Sequence, residues 1–440
     1  MEDGAQSAEW AEFTVAERAV LHAIARGETA VLGGQAIGAG FFRNLVLGRI
    51  HGFALPHAGL KLRSAIISGG LDFQGATISV PIILDDVRID GRLDTNPKND
   101  FDAGADADGT NVRCAIMLDD CSLRGLALHE AEVIGHVSVK RARIGTDLDI
   151  RGGRIDGCLA LEDGVIGGGL TIAGVEIGDS ERTVALAGAG LQVDGSVRLS
   201  GIDCKGAADF SRCRFRRGVS ADRFTVLSVN DALLFESSWF GGDVVLAGVK
   251  LSGNCIFTNA NVAGTLNVSG MVVEAATGGF LAAGVRSGHS ISMEDASIRG
   301  AVIFDRAVVR HHLTTCSAHL NGGRVALSVI GAQIGGDLDL SMAHLAGRAD
   351  CAGAGIAGRL VLSEARINGG DQAVNADGAT FGLGVNFHRA MVSGLVSLEG
   401  CRINGAADFS GATLKTDAGA VCVREFGGGL ASHVSGGQVF

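Results

Sequence analysis

Three clusters in this chain hold residue types that could do chemistry. The first is Gly353-Ala354-Gly355-Ile356-Ala357-Gly358, a G-x-G-x-x-G run of the kind that cradles a dinucleotide pyrophosphate. That use needs a strand before it, a helix after it and an acidic residue about 20 positions on. Here the next residues, LVLSEARI, repeat the spacing of their surroundings, so the glycines read as structural. The second cluster is Asp100, Asp102, Asp106, Asp108 and Asn111, where DADGTN resembles part of a calcium loop. With Gly109 at the sixth loop position, the first and twelfth would be Gly104 and Ala115, and neither can ligate calcium. A solvated acidic loop is the expectation. The third cluster is His311, His312 and His319. Their mutual spacing does not match metal ligands on neighbouring repeats, and they read as surface residues. The ten cysteines include no C-x-x-C. No catalytic residue, metal or cofactor is assigned from these clusters.

The elements that would have to position such residues come from a repeat. Gly188, Phe235, Ala282, Val329, Ala376 and Val423 follow one another at intervals of 47, the mark of a solenoid in which each unit stacks on its neighbour. Between residues 327 and 367 the inward pairs are Leu327/Val329, Ala332/Ile334, Leu338/Leu340, Ala343/Leu345, Ala349/Cys351, Ala354/Ile356, Leu360/Leu362 and Ala365/Ile367. A spacing of two puts both members of a pair on one side of a short strand. Successive pairs step by 5 and 6 residues in alternation, so four faces close a coil of 22. Two coils leave three residues over in each 47. Those residues fall in SVNDALL, EAATGGFL, NGGRVALS, NGGDQAVN and KTDAGAVC, always at one corner, which predicts a ridge of small loops about 10 Å apart. The fold class expected is all-β: a right-handed quadrilateral parallel β-helix of about 15 coils, on the order of 70 Å long, with a short N-terminal helical cap.

Composition agrees with that architecture. No proline follows Pro97, as a ladder requiring every N–H demands. The chain has no tyrosine and 19 phenylalanines, which suits a dry interior without partners for a phenol. Cys204, Cys213, Cys255, Cys351 and Cys401 fall on the inward register, where a thiol packs as a small hydrophobe. Reduced thiols and an N-terminus without an apolar core point to the cytoplasm, and no run of 18 apolar residues predicts a membrane span. The net charge of −11 argues against nonspecific nucleic-acid binding.

Residues 1–60 read as a cap region. TVAERAVLHAIARG is amphipathic, with Thr14 and Glu17 placed for a capping box, Val20, Leu21 and Ile24 on one face, and Gly27 as a stop. The solenoid is expected over 61–426, interrupted by an insertion at 95–115, and 427–440 is a glycine-rich tail. That tail either folds over the last coil or leaves an open end for homodimerisation.

The five-residue unit, with a small inward residue followed two later by Leu, Ile or Phe, resembles the pentapeptide-repeat family. AADFSGATL at 406–414 and LDLSMAHL at 338–345 carry the likeness. Alternating steps of 5 and 6 and the loop in every second coil depart from it. The chain is also similar to bacterial glycine-rich repeat proteins with phrases such as GGDLDL and ADGAT, often labelled membrane-associated oxidoreductases. The resemblance implies a β-helix and suggests several roles. The reading preferred here is a non-enzymatic scaffold that binds a protein partner along its faces or loop ridge. The candidate contact residues are Asn230, Asp231, Asn321, Arg324, Asn368, Asp371, Lys415 and Asp417. The alternatives are an acidic DNA mimic that binds a topoisomerase, and a polysaccharide-active or oxidoreductase enzyme.

Overall fold

The computed structural model describes residue 10 and residues 12–91, 114–178, 183–415, 421–422 and 438–439. The acidic insertion residues Asp100 to Asn111 and the ridge residue Asp417 lie outside the described residues. The chain is almost entirely parallel β, a solenoid of about 15 turns, with two helices among the described residues. It divides into two compact units, residues 1–209 and 210–440.

In the second unit one coil shows why the sequence closes on itself. Leu338–Asp339 forms one face, His344–Asp350 bends round a corner to supply two, and Gly355–Ile356 the fourth. Each face pairs in parallel with its successor one coil on: Leu338 with Leu360, Leu345 with Ile367, Ala349 with Val374, Ile356 with Phe381. All sixteen inward residues anticipated between 327 and 367 are buried. Small and large side chains alternate inside. Phe235, Phe257, Phe280 and Phe304 stack with centroids 5.1, 5.8 and 5.6 Å apart. Phe280 keeps that stack filled at the coil where the inward column carries Ala282, as close packing requires.

The loops sit where the arithmetic puts them. Arg299 pairs with Asn321 and Val302 with Leu327, so one strand carries three more residues than its neighbour across the same corner. The short coil makes room with a glycine. Gly253, Gly300, Gly347 and Gly394 recur every 47 residues directly beneath the loops, and a Cβ on Gly300 would fall 2.1 Å from the Gly278 carbonyl oxygen. Side chains pin the loops as well. Arg348 pairs with Asp350 at 2.7 Å and donates to Gln372 Oε1 at 2.9 Å.

In the first unit, helix α1 (Val15–Ala25) has the expected capping box: Thr14 Oγ1 accepts from the Glu17 amide and Glu17 Oε2 from the Thr14 amide. Val20, Leu21 and Ile24 are buried, and Gly27 takes φ +71°. Two elements here were not foreseen. Strand Ala30–Gly38 pairs in parallel with Leu60–Ser68, so the ladder begins well before residue 61. Helix α2 (Ala39–Val46) then buries Phe42 and Leu45. At the other end of the chain, in the second unit, Gln438–Val439 runs parallel to Thr413–Leu414.

Candidate binding groove

The corner of the second unit that carries the loops also carries a groove of about 690 Å³. Its floor is the outward side of the strand segments that approach the loops. Inward neighbours Ile298, Leu320, Leu345, Ile367, Val392 and Leu414 are buried, and strand alternation turns the residues on either side of each outward. Two parallel columns result. One reads Ser297, His319, His344, Arg366, Met391, Thr413, and the other Arg299, Asn321, Ala346, Asn368, Ser393, Lys415. Glu274 precedes Arg299 in the second column. An adjoining hollow of about 550 Å³ shares Glu274, Arg299 and Asn321 and is walled by the loop residues Ala275, Gly278 and Gly322.

The floor offers side chains rather than backbone. The amides of His319, His344, Arg366, Met391 and Thr413 donate to Ala296, Ala318, Ala343, Ala365 and Ala390 of the preceding coils, so no free strand edge is presented. The side chains of Arg299, Arg366, Lys415, Asn321 and Asn368 make no ion pair or hydrogen bond among the described residues. His319 and His344 meet edge to face with centroids 4.7 Å apart. Partial burial, then His319, then Arg366, lower the pKa of His344 below its usual range.

A comparable row in the first unit is electrostatically closed. Arg88, Glu132, Arg154, Glu176 and Asp203 follow one another across paired strands. Arg88 pairs with Glu132 at 3.2 Å, and Lys205 closes on Glu176. Opposite charges opposite one another stabilise a ladder modestly. The groove column has cations and imidazoles in such places and, apart from Glu274 at its end, no acid.

The candidate contact residues divide among several settings. Asn321, Asn368 and Lys415 line the groove. Arg324 and Asp371 are exposed on the loops beyond it, and Asn230 is exposed on the loop two periods before that of Arg324. Asp231 has a structural task, accepting from Asn254 Nδ2 at 2.9 Å, while Asn254 Oδ1 accepts from the Gly279 amide.

His311, His312 and His319 do not form one cluster. His311 stacks on His289 at 5.5 Å, His312 Nδ1 accepts from the Asp337 amide, and His319 meets His344. The informative spacing was to histidines one coil away, 22 and 25 residues, rather than among the three. Gly355 opens one short strand of the solenoid grid and Gly358 lies in the bend before the next, Arg359–Val361, with no helix after them. The five inward cysteines are buried as expected, and burial pushes the thiols of Cys114, Cys121 and Cys351 up to about 12. Among the described residues no group of three or more His, Cys, Asp or Glu could hold a metal ion.

No family model, curated protein or solved structure matches this chain.

Proposed function

We propose that this protein is a non-enzymatic solenoid that holds a partner protein in the loop-corner groove of its second unit. One observation carries the reading: among the described residues the outward cations Arg299, Arg366 and Lys415 of the groove floor make no ion pair, and Glu274 beside Arg299 is the one acid lining it, in a chain whose net charge is −11. Charges left unneutralised in a concave surface favour a ligand of opposite sign. The likeness to pentapeptide-repeat proteins supports recognition by a rigid body over chemistry, and thiols held protonated by burial do not supply a nucleophile. A DNA mimic requires a concentrated acidic face, whereas Glu132 and Glu176 of the first unit's row alternate with Arg88 and Arg154. Buried free thiols suit a reducing compartment, hence the cytoplasm.

The test replaces Ala346, on the groove floor, with the photo-cross-linking residue p-benzoylphenylalanine, and makes the same replacement at exposed Met342 as control. Cross-linking in cells to a discrete partner from 346 and not from 342 is expected. Equal yields from both positions contradict a groove-specific role.

A further inference from the structure

We propose that the groove takes an extended acidic peptide lying along the solenoid axis, with its carboxylates on Arg299, Arg366 and Lys415 and its backbone amides on Asn321 and Asn368. This rests on the binding role proposed above and names the ligand chemistry.

The spacing carries the argument. Successive rungs of a parallel ladder are roughly 4.8 Å apart. The column from Glu274 to Lys415 spans six such intervals, roughly 29 Å, which accommodates about nine residues of extended chain. Asn321 and Asn368 stand two rungs apart in one column, roughly 10 Å, the length of three extended residues. A peptide running over them therefore meets these two asparagines three residues apart. Each asparagine amide has a donor and an acceptor, the complement of a peptide group. That matters because the floor's own backbone is already consumed by the ladder, so strand addition is closed to the ligand and only side chains can satisfy its N–H and C=O groups.

Charge selects the ligand's side chains. Among the described residues, the charged and titratable groups that line the groove are Arg299, Arg366 and Lys415, His319 and His344, and Glu274 beside Arg299. The cations are two or three rungs apart, too sparse for a nucleic-acid backbone with a phosphate at every 3.4 Å of strand. The floor has no Phe or Trp on which bases could stack. Carboxylates separated by neutral residues match this spacing better. Guanidinium groups form bidentate pairs with carboxylates, and Arg366 is next to His344 in its column. Burial first, then His319 and Arg366, disfavour the protonated form of His344; a carboxylate bound beside it favours that form, so binding should strengthen on acidification from pH 7.5 to 6.

The experiment measures fluorescence anisotropy of a fluorescein-labelled decapeptide of alternating Glu and Ser against the full-length protein, beside its Gln-Ser counterpart. The Glu peptide is expected to bind at least about tenfold more tightly, because charge-assisted hydrogen bonds are the stronger class. Arg366→Gln should weaken it about tenfold and Arg366→Lys less. Asn321→Ala with Asn368→Ala should weaken both peptides, and Arg389→Gln, exposed outside the groove, should change neither. Equal binding of the two peptides, or binding indifferent to Arg366→Gln, overturns the proposal. So does tighter binding of oligothymidylate or oligogalacturonate. If cross-linking from position 346 still captures a partner in that case, the groove remains a binding site and only the acidic-peptide assignment fails.

Discussion

Replacing Gly347 with alanine tests the link between the 47-residue period and the groove. Gly347 has φ +132°, and a methyl there would lie 2.7 Å from the Gly323 carbonyl oxygen and 2.8 Å from the Ala326 nitrogen. Both atoms belong to the loop that crosses above it. The dihedral costs about 1–3 kcal/mol for any L-residue with a side chain, and forcing a methyl against backbone adds about 1–3 kcal/mol. A total of about 4 kcal/mol is expected. At about 2–4 °C per kcal/mol for a unit of this size, the melting transition of the second unit should fall by roughly 8–16 °C. Gly353→Ala is the control. Gly353 has φ +64° with nothing within 4 Å of the added methyl, so only the left-handed penalty of about 1–2 kcal/mol applies. Trp239 in the second unit reports the transition by fluorescence once Trp10 in the first is replaced by Phe. Hydrogen exchange should locate the damage in residues 321–328. Equal shifts for the two variants would refute the idea that these glycines seat the loops.

Other expectations follow from the same packing. Leu340 is fully buried, and Leu340→Asp places an unpaired charge in the stack, so soluble expression should be lost. A soluble variant that melts like the wild type would show the inward register to be wrong. Arg348→Met leaves the Asp350 carboxylate buried without its ion pair. A loss of about 3 kcal/mol is expected by denaturant titration, with the loop at 369–373 exchanging faster. For His344 the folded pKa lies below the unfolded value near 6.5. The unfolded chain therefore binds the proton first, and stability present above pH 6.5 declines as pH falls through that value. His344→Gln should flatten this part of the stability–pH curve, and an unchanged slope would remove His344 as its source.

The interior was legible because inward positions obey two simple rules, a spacing of two within a strand and alternating steps of 5 and 6 between strands. Every residue those rules selected from Leu327 to Ile367 is buried. The loops were legible as the remainder of the same arithmetic. Strand Ala30–Gly38 was not, because Gly33 and Gly34, at φ +59° and +84°, shift the register between Val31 and Gln35 and break the alternation. The groove was only half legible. Asn321, Asn368 and Lys415 were selected as ridge residues and His319 was singled out only as a surface histidine beside His311 and His312, while His344 and Arg366 were missed. Outward residues vary freely in type, so only their alignment across coils of 22 and 25 residues brings them into one column, and no local motif marks it.

If the loop-corner groove is where this protein binds its partner, a ligand should perturb the groove floor and spare the rest of the surface. Methionine methyl NMR reads this, because Met391 lies on the groove floor and equally exposed Met342 lies outside it. With methyl-labelled protein, titration of the acidic Glu-Ser decapeptide should move the Met391 resonance saturably and leave Met342 in place. A saturable shift of Met342 with Met391 unmoved would place binding outside the groove.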